Sequence, residues 1–443
     1  MQNANVQKQK MESSVLPYTC VYIDAKWKDI GYSIAQCAKV HRDKDRDKTI
    51  GQLKTMWLNP SNQNHVLPCL SVRTGLDLYL RVMNYPPGSE IIMSAINIPD
   101  MVYIVKHHGL KIIPLDVHIE TTSPKTNLLE ALISDKTVAI LIAHLYGKWS
   151  EMDEIISTAR RKNIHVIEDC AETFCGFEKI GHPESDIALF SFGVIKYYTA
   201  FGGAIAKVKD ENLYKKMCDL NSKYPIQSQF VYFKKLFKYC CAYVLLDCPS
   251  VIHPMMVLTR KFNIDHKKYV IKMLRGFPDH LIEKIRHQPS TALLKTVFHR
   301  LSNFDRNDFR TCSVKGEYVK ERLPESVTLV GSQAEINNYW LFPILVDNAD
   351  TFVNLLHAMG IDAYRGATQV NIIEPEKWNP YLDYFAPLVN YYPHEARYLM
   401  DHVVYLPINK SVPFSVLDQI CRGVEEAEKL TKKSVNVRIQ SKL

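Results

Sequence analysis

An aspartate closing one apolar run and a lysine just past the next are the residues in this chain best suited to chemistry. The stretch from His165 to Ala204 reads HVIEDCAETFCGFEKIGHPESDIALFSFGVIKYYTAFGGA. Its β-branched start ends in two acids, Glu168 and Asp169. A second short strand, Ile187 to Phe192, is followed by Lys196 and then by Gly202-Gly203. A lysine can hold an aldehyde as a Schiff base, and a carboxylate can keep a ring nitrogen protonated so that the ring draws electrons. Together these are what a pyridoxal phosphate (PLP) enzyme needs. Polar residues also end the strands of any α/β protein, so this spacing by itself equally describes an ordinary solvated loop.

The elements that must position such a pair are legible on both sides of it. Strands are expected at Glu90 to Met93, Lys111 to Asp116 and Val138 to His144. Helices are expected between them, at Asp100 to His108, Thr126 to Ile133 and Met152 to Lys162. That alternation predicts a largely parallel sheet covered by helices, with ligands at the carboxyl ends of the strands. Upstream, LPCLSVRTGLDLYLRVMNY passes from an extended start into a helix with Leu76, Tyr79, Leu80 and Met83 on one face. Its entry, with Ser71, Arg73, Thr74 and Gly75, suits a phosphate cradle, because helix-terminal N–H groups and the dipole face an anion. A plain N-cap by Ser71 or Thr74 accounts for the same residues.

The chain divides by pattern. Residues 1–60 read as a tail and lead-in segment, whose charged run Arg42 to Lys48 is expected as a surface loop or solvated helix end. Residues 61–211 form the large α/β domain and 212–275 an apolar insertion. Residues 276–330 read as a helical connection, and 331–443 as a small C-terminal α/β domain with strands at Trp340 to Asp347 and from Ile361 to Tyr364. Within the insertion, Phe230 to Phe262 is apolar and aromatic, but its longest uncharged run, Tyr239 to Leu246, is far below the ~20 residues of a spanning helix. A buried helical insertion, a dimer contact and an interfacial membrane hairpin all fit that segment.

Of 443 residues, 47% are hydrophobic and 23% charged, as in a soluble globular protein. The formal charge of +8 is dispersed and gives no argument for nucleic acid. Eleven scattered cysteines lack both zinc spacing and the regularity of a disulfide framework, so no metal is expected and a reducing compartment is. The polar N-terminus predicts a cytoplasmic protein. The final Ser441-Lys442-Leu443 is a peroxisomal address if the host is eukaryotic.

Four stretches in order resemble the DegT/DnrJ/EryC1/StrS family of PLP-dependent aminotransferases, which act on keto sugars of nucleotide sugars. They are GSEIIMSAINIPD, GLKIIPLDVHIETTSPKTNLLEALISDKTVAILIAHLYGKWSEMDEI, IHVIEDCAETFCGFEKIG and SDIALFSFGVIKYYTAFGGAIAKV. The resemblance runs from about Leu67 to about Lys429, apart from the insertion. It implies the α/β fold of fold type I PLP-dependent transferases, with a large, mostly parallel-sheet domain and a small C-terminal α/β domain. It further implies PLP as cofactor, glutamate as amino donor, a nucleotide keto sugar as acceptor, and a homodimer with its site at the interface.

By position, the resemblance makes Lys196 the Schiff-base lysine and Asp169 the partner of the pyridine nitrogen. Ser191, Arg73 and Thr74 become phosphate contacts. Three departures stand out. Glu172 occupies a position that usually carries glutamine against the cofactor's 3-oxygen, where a second anion disfavours the phenolate. Ile98 replaces an aromatic that stacks on the ring. The phosphate-binding asparagine of the partner subunit has no clean match, Arg275 being the nearest candidate. These departures motivate a competing expectation, a catalytically impaired relative with a scaffolding or regulatory role.

Overall fold

The computed structural model describes residues 16–58, 65–262, 274, 280–366, 370–375 and 391–440. Arg275 and Ser441-Lys442-Leu443 lie outside the described residues.

In chain order, the lead-in forms α1 (Trp27–Ala38) and α2 (Asp43–Trp57). The large domain then runs β1 (His65–Cys69), α3 (Val72–Met83), β2 (Glu90–Ser94), β3 (Ile96–Asn97), α4 (Pro99–His107) and β4 (Lys111–Leu115). It continues with α5 (Thr126–Leu132), β5 (Thr137–Ala143), α6 (Asp153–Arg161), β6 (His165–Asp169), β7 (Ile187–Ser191), β8 (Ala204–Val208) and α7 (Glu211–Ser222). The insertion is a bent pair, α8 (Gln229–Asp247) and α9 (Pro249–Lys261). After it come α10 (Leu281–Ile285), α11 (Thr291–Ser302) and α12 (Arg306–Lys320). The C-terminal part contains β9 (Thr328–Leu329), β10 (Phe342–Leu345), α13 (Ala349–Ala358), β11 (Asn371–Ile372), α14 (His394–His402), β12 (Val403–Leu406) and α15 (Phe414–Gln440).

Seven strands make the main sheet in the order β1-β8-β7-β6-β5-β2-β4, with β8 antiparallel to both neighbours and the remaining pairs parallel. Apolar residues fill both faces, as burial under two helical layers requires: Ile91, Leu141, Ile167 and Leu189 on one side, Ile92, Ile140, Ile142 and Val166 on the other. The register gathers the chemistry at one edge. Ala143 lies opposite Asp169, Ser191 opposite Ala204, and Cys69, just before Ser71, also opposite Ala204. Asp169, Ser191, Ser71 and the Gly202-Gly203 turn therefore crowd together at the carboxyl ends of the parallel strands.

Several expectations changed on folding. Of the two readings of the charged run Arg42 to Lys48, the solvated helix end holds: it opens α2, a helix whose Leu53 and Trp57 are fully buried. Within it Arg46 is buried and reaches across to the Pro289 carbonyl (2.6 Å) and Gln288 Oε1 (2.9 Å). The α/β pattern persists past residue 212, since Leu213 and Met217 of α7 join the core around α3. The helix expected from Glu283 to Leu301 breaks at Pro289, and Ser290 caps the new start by accepting from the Leu293 N–H (3.3 Å). No strand forms at Ile361 to Tyr364 beyond a single bridge between Tyr364 and Tyr405. The small C-terminal sheet is instead β12-β10-β9.

The insertion helix α8 buries Tyr232, Leu236, Tyr239, Ala242 and Leu246 and exposes Phe230, Phe233 and Phe237. Its inner face packs with Val194 and Phe201, which flank Lys196. Among the described residues no single helix is long and apolar enough to cross a membrane. The bent pair Gln229–Leu246 and Ser250–Thr259, 77° apart, reaches that length and composition only jointly.

One buried charge cluster ties the lead-in to the loop that carries Lys196. Arg300 on α11 donates to Asp29 Oδ2 (2.7 Å), Asp24 Oδ2 (3.0 Å), the Asp24 carbonyl (2.7 Å) and the Thr199 carbonyl (2.7 Å). Its guanidinium lies 4.4 Å from the Tyr198 ring centroid. Lys410 answers Asp308 (2.8 Å) and also pairs with Asp24. Removing one member of a buried pair strands its partners. Arg300→Met is accordingly expected to lower unfolding free energy by roughly 3–5 kcal/mol in urea titrations. A loss below about 1 kcal/mol, the range of exposed pairs, would show that the cluster does not hold the lead-in.

Candidate active site

A cavity opens at the carboxyl edge of the sheet, lined by Asp169, Glu172, Ser191, Lys196, Ile98 and the first turn of α3 at Ser71 and Arg73. The structure thus brings together six of the seven residues singled out from the sequence. The seventh, Thr74, is fully buried and faces elsewhere. Its hydroxyl donates to the Ile285 carbonyl (2.8 Å), and its N–H bonds Ser71 Oγ (3.2 Å). Thr74 fastens the cap of α3 to α10.

The acids are handled unequally. Glu168 is wholly buried with its carboxylate turned away from the cavity. His144 Nε2 lies 2.9 Å from Oε2, and the His182 N–H donates to Oε1 at 2.7 Å. The Ser150 N–H donates to His144 Nδ1 (3.0 Å), which puts the imidazole proton on Nε2, facing Glu168. Burial pushes the Glu168 carboxyl up, but these bonds outweigh it and hold the group below its ordinary value.

Asp169 has less support. Its Oδ1 accepts from the Ala171 N–H (3.1 Å), and its backbone carbonyl accepts from the His144 N–H. Burial holds its carboxyl above the ordinary aspartate value, against the opposing pull of Lys196 and the Ala171 N–H. A cation placed beside it would reverse that shift.

Lys196 sits in the turn after β7. Its Nζ lies 3.4 Å from Glu172 Oε1 and 4.9 Å from the centroid of the Trp340 ring. The Trp340 Nε1–H donates to the Ile195 carbonyl (2.9 Å), so a side chain just ahead of β10 fixes the lysine loop. Glu172 is itself fixed by the Tyr146 N–H, which donates to Oε2 at 2.9 Å. Gly203 forms the opposite wall at φ +82, where a Cβ would lie 2.8 Å from Val297 Cγ2. A side chain there would push the wall off α11.

Sequence reasoning missed Trp340 and the contribution of α8, which lines the cavity with Tyr232, Lys235 and Tyr239. Their i, i+3, i+7 spacing is a helix-face signal, but nothing local told which surface that face would meet. The residues present fit PLP. A buried carboxylate held above its ordinary value suits a ring nitrogen, Lys196 suits the aldehyde, and Ser71, Ser191 and the α3 N-terminus suit a phosphate.

The fold is that of the fold type I PLP-dependent transferases. A putative sugar aminotransferase of Streptococcus pneumoniae, in its PLP form, superposes with a TM-score of 0.65 at 15% identity, over 95% of this chain and 99% of that one. Residues 52–232 match the model of the DegT/DnrJ/EryC1/StrS aminotransferase family. Over 159 residues the chain is 33% identical to the GDP-perosamine synthase of Escherichia coli O157:H7, covering 35% of this chain and 44% of that protein. Over 162 residues it is 36% identical to the GDP-perosamine synthase of Caulobacter vibrioides, covering 34% and 42%. The matched segment therefore spans less than half the length of either relative.

One further charge bears on the site. Lys148, just after the Tyr146-Gly147 turn, is 1% exposed, and its stem crosses Gly331, where a Cβ would fall 2.0 Å from Lys148 Cδ. Gly331 has φ +66, so the passage depends on glycine twice over. Burial pulls the Lys148 ammonium down to about 7, with Glu172 the opposing influence. An unfolded chain keeps this proton up to about 10.5, so the group costs stability below that pH, most of all below 7. Lys148→Met, which keeps the stem, is expected to melt higher than the parent at pH 6, with the gap closing as pH rises from 7 toward 10. Identical melting of the two proteins across that range would contradict a charge buried at such cost.

Proposed function

We propose that this protein is a PLP-dependent aminotransferase that moves an amino group from glutamate to a keto sugar of a nucleotide sugar, working as a homodimer. The observation that carries the reading is the meeting, in one cavity, of a buried carboxylate held above its ordinary value and a lysine on the following turn. The family match of residues 52–232 supports transamination, and the names of the relatives support a nucleotide-sugar substrate. Donor and dimer follow from the family resemblance.

When bound, PLP supplies the aldehyde that takes up the amino group and a ring that delocalises the electrons released at the substrate carbon. Asp169 would hold a proton on the ring nitrogen of bound PLP through a charge-assisted hydrogen bond. Lys196 Nζ would hold the bound aldehyde, and as a free amine it would take a proton from the substrate carbon and return it as general base and acid. The Trp340 ring and Glu172 Oε1 keep that amine on one side of the cavity during the transfer. Ile98 supplies an apolar wall in place of ring stacking.

A specific contact favours a second reading. Glu172 Oε1 lies 3.4 Å from Lys196 Nζ where the resemblance places a neutral glutamine, so a second anion would stand beside the cofactor's 3-oxygen and disfavour its phenolate. A relative impaired in this way retains the fold for a scaffolding or regulatory role. Absorption separates the two readings. The wild type is expected to turn yellow with added PLP and to bleach with L-glutamate, and Lys196→Ala is expected to do neither. A protein that stays colourless at millimolar PLP would contradict the enzyme reading and leave the impaired relative.

A further inference from the structure

The insertion has two apolar faces, and the body of the protein covers one of them. Tyr232, Leu236, Tyr239 and Leu246 are buried and hold α8 in place, its inner face packed with Val194 and Phe201. Phe230, Phe233 and Phe237 recur at i, i+3 and i+7 on the opposite side and stand in solvent, the first and last 62% exposed. Val257 and Leu258 on α9, and Phe262 just beyond it, are exposed as well. Four of the five exposed phenylalanines among the described residues thus fall in or beside this helical pair, the fifth being Phe414. Exposed apolar side chains are ordinary one at a time, but a concentration of them marks a docking surface.

Charge indicates what the surface docks on. From Gln229 to Phe262 the sequence carries Lys234, Lys235, Lys238, Arg260 and Lys261 against a single acid, Asp247, at the bend. Lys234 is exposed among the phenylalanines, its Nζ 4.4 Å from the Phe230 ring centroid. A second copy meeting the same patch across a two-fold axis would set these cations against one another. An anionic bilayer accepts both components, the phenylalanines at its acyl boundary and the ammonium groups among its headgroups. We propose that the outer face of the α8–α9 pair seats this protein on the surface of an anionic membrane.

Geometry sets the manner of seating. The two helices are bent by 77°, so the pair is not a single spanning rod, and the buried tyrosines keep α8 against the body. It therefore lies in the plane of the interface, between protein and lipid, with only its outer stripe immersed. Because the inner face of α8 lines the active-site cavity, docking brings that cavity within one helix diameter (~10 Å) of the lipid.

Flotation of the full chain with vesicles tests the proposal. The wild type is expected to float with phosphatidylcholine vesicles containing phosphatidylserine, to stay behind with phosphatidylcholine alone, and to be released by salt. Replacing Phe230 and Phe237 together by serine is expected to weaken binding roughly tenfold or more, and Lys234→Gln roughly fivefold. Val314→Ser, which removes an exposed apolar side chain from α12, is expected to match the wild type. All the substituted side chains are exposed, so each variant is expected to keep the wild-type circular dichroism. A wild type that floats with neither vesicle, or equally with both, would overturn the proposal. So would a doubly substituted protein that binds as the wild type does. A lipid-free dimer that the paired serines split, without flotation, would also overturn it and give the face to a second copy.

Discussion

The site depends on concentrating acids at the end of one buried strand and compensating all of them but one. Charged groups removed from water must be neutralised, paired or hydrogen-bonded. At the end of β6, Glu168 is satisfied by His144 and the His182 N–H, and Glu172 by the Tyr146 N–H and Lys196. Asp169 has the Ala171 N–H and a lysine at longer range, and its carboxyl stays raised. That residual deficit is the chemical content of the cavity: the strand holds ready a carboxylate whose best partner is a cation brought by a ligand.

The rest of the molecule keeps that arrangement dry and in register. Pairing of β5, β6 and β7 sets Asp169 opposite Leu189, two residues before Ser191, and the antiparallel β8 returns the Gly202-Gly203 turn beside them. Arg300 clamps the lysine loop at Thr199 to the lead-in at Asp24 and Asp29. Trp340 clamps the same loop at Ile195 from the C-terminal part. The inner face of α8 covers the cavity with tyrosines and a lysine. Three regions distant in sequence thus converge on one short turn, and a change in any of them is felt at Lys196.

Local pattern carried the main sheet and the central pair. Strands such as Lys111–Leu115 and Thr137–Ala143 are short apolar runs bounded by helices with clear periodicity, and acids at a strand end declare an edge. Long-range pairing was not legible. The burial of Arg46 within the otherwise solvated run Arg42 to Lys48 could not be read, because its acceptor is the Pro289 carbonyl, far along the chain. Thr74 looked like a phosphate contact because the acceptor of its hydroxyl is Ile285. Lys235 and Trp340 carried no motif at all, since their place at the site follows from how α8 and the C-terminal part pack.

The central claim is that Lys196, among several lysines near this cavity, is the amine that holds the cofactor. Borohydride reduction of the PLP-treated protein, followed by proteolysis and peptide mass mapping, tests it directly. The account predicts a phosphopyridoxyl group on the peptide containing Lys196 and none on those containing Lys148 or Lys235. A label on Lys235 or Lys148 with Lys196 unmodified would contradict it.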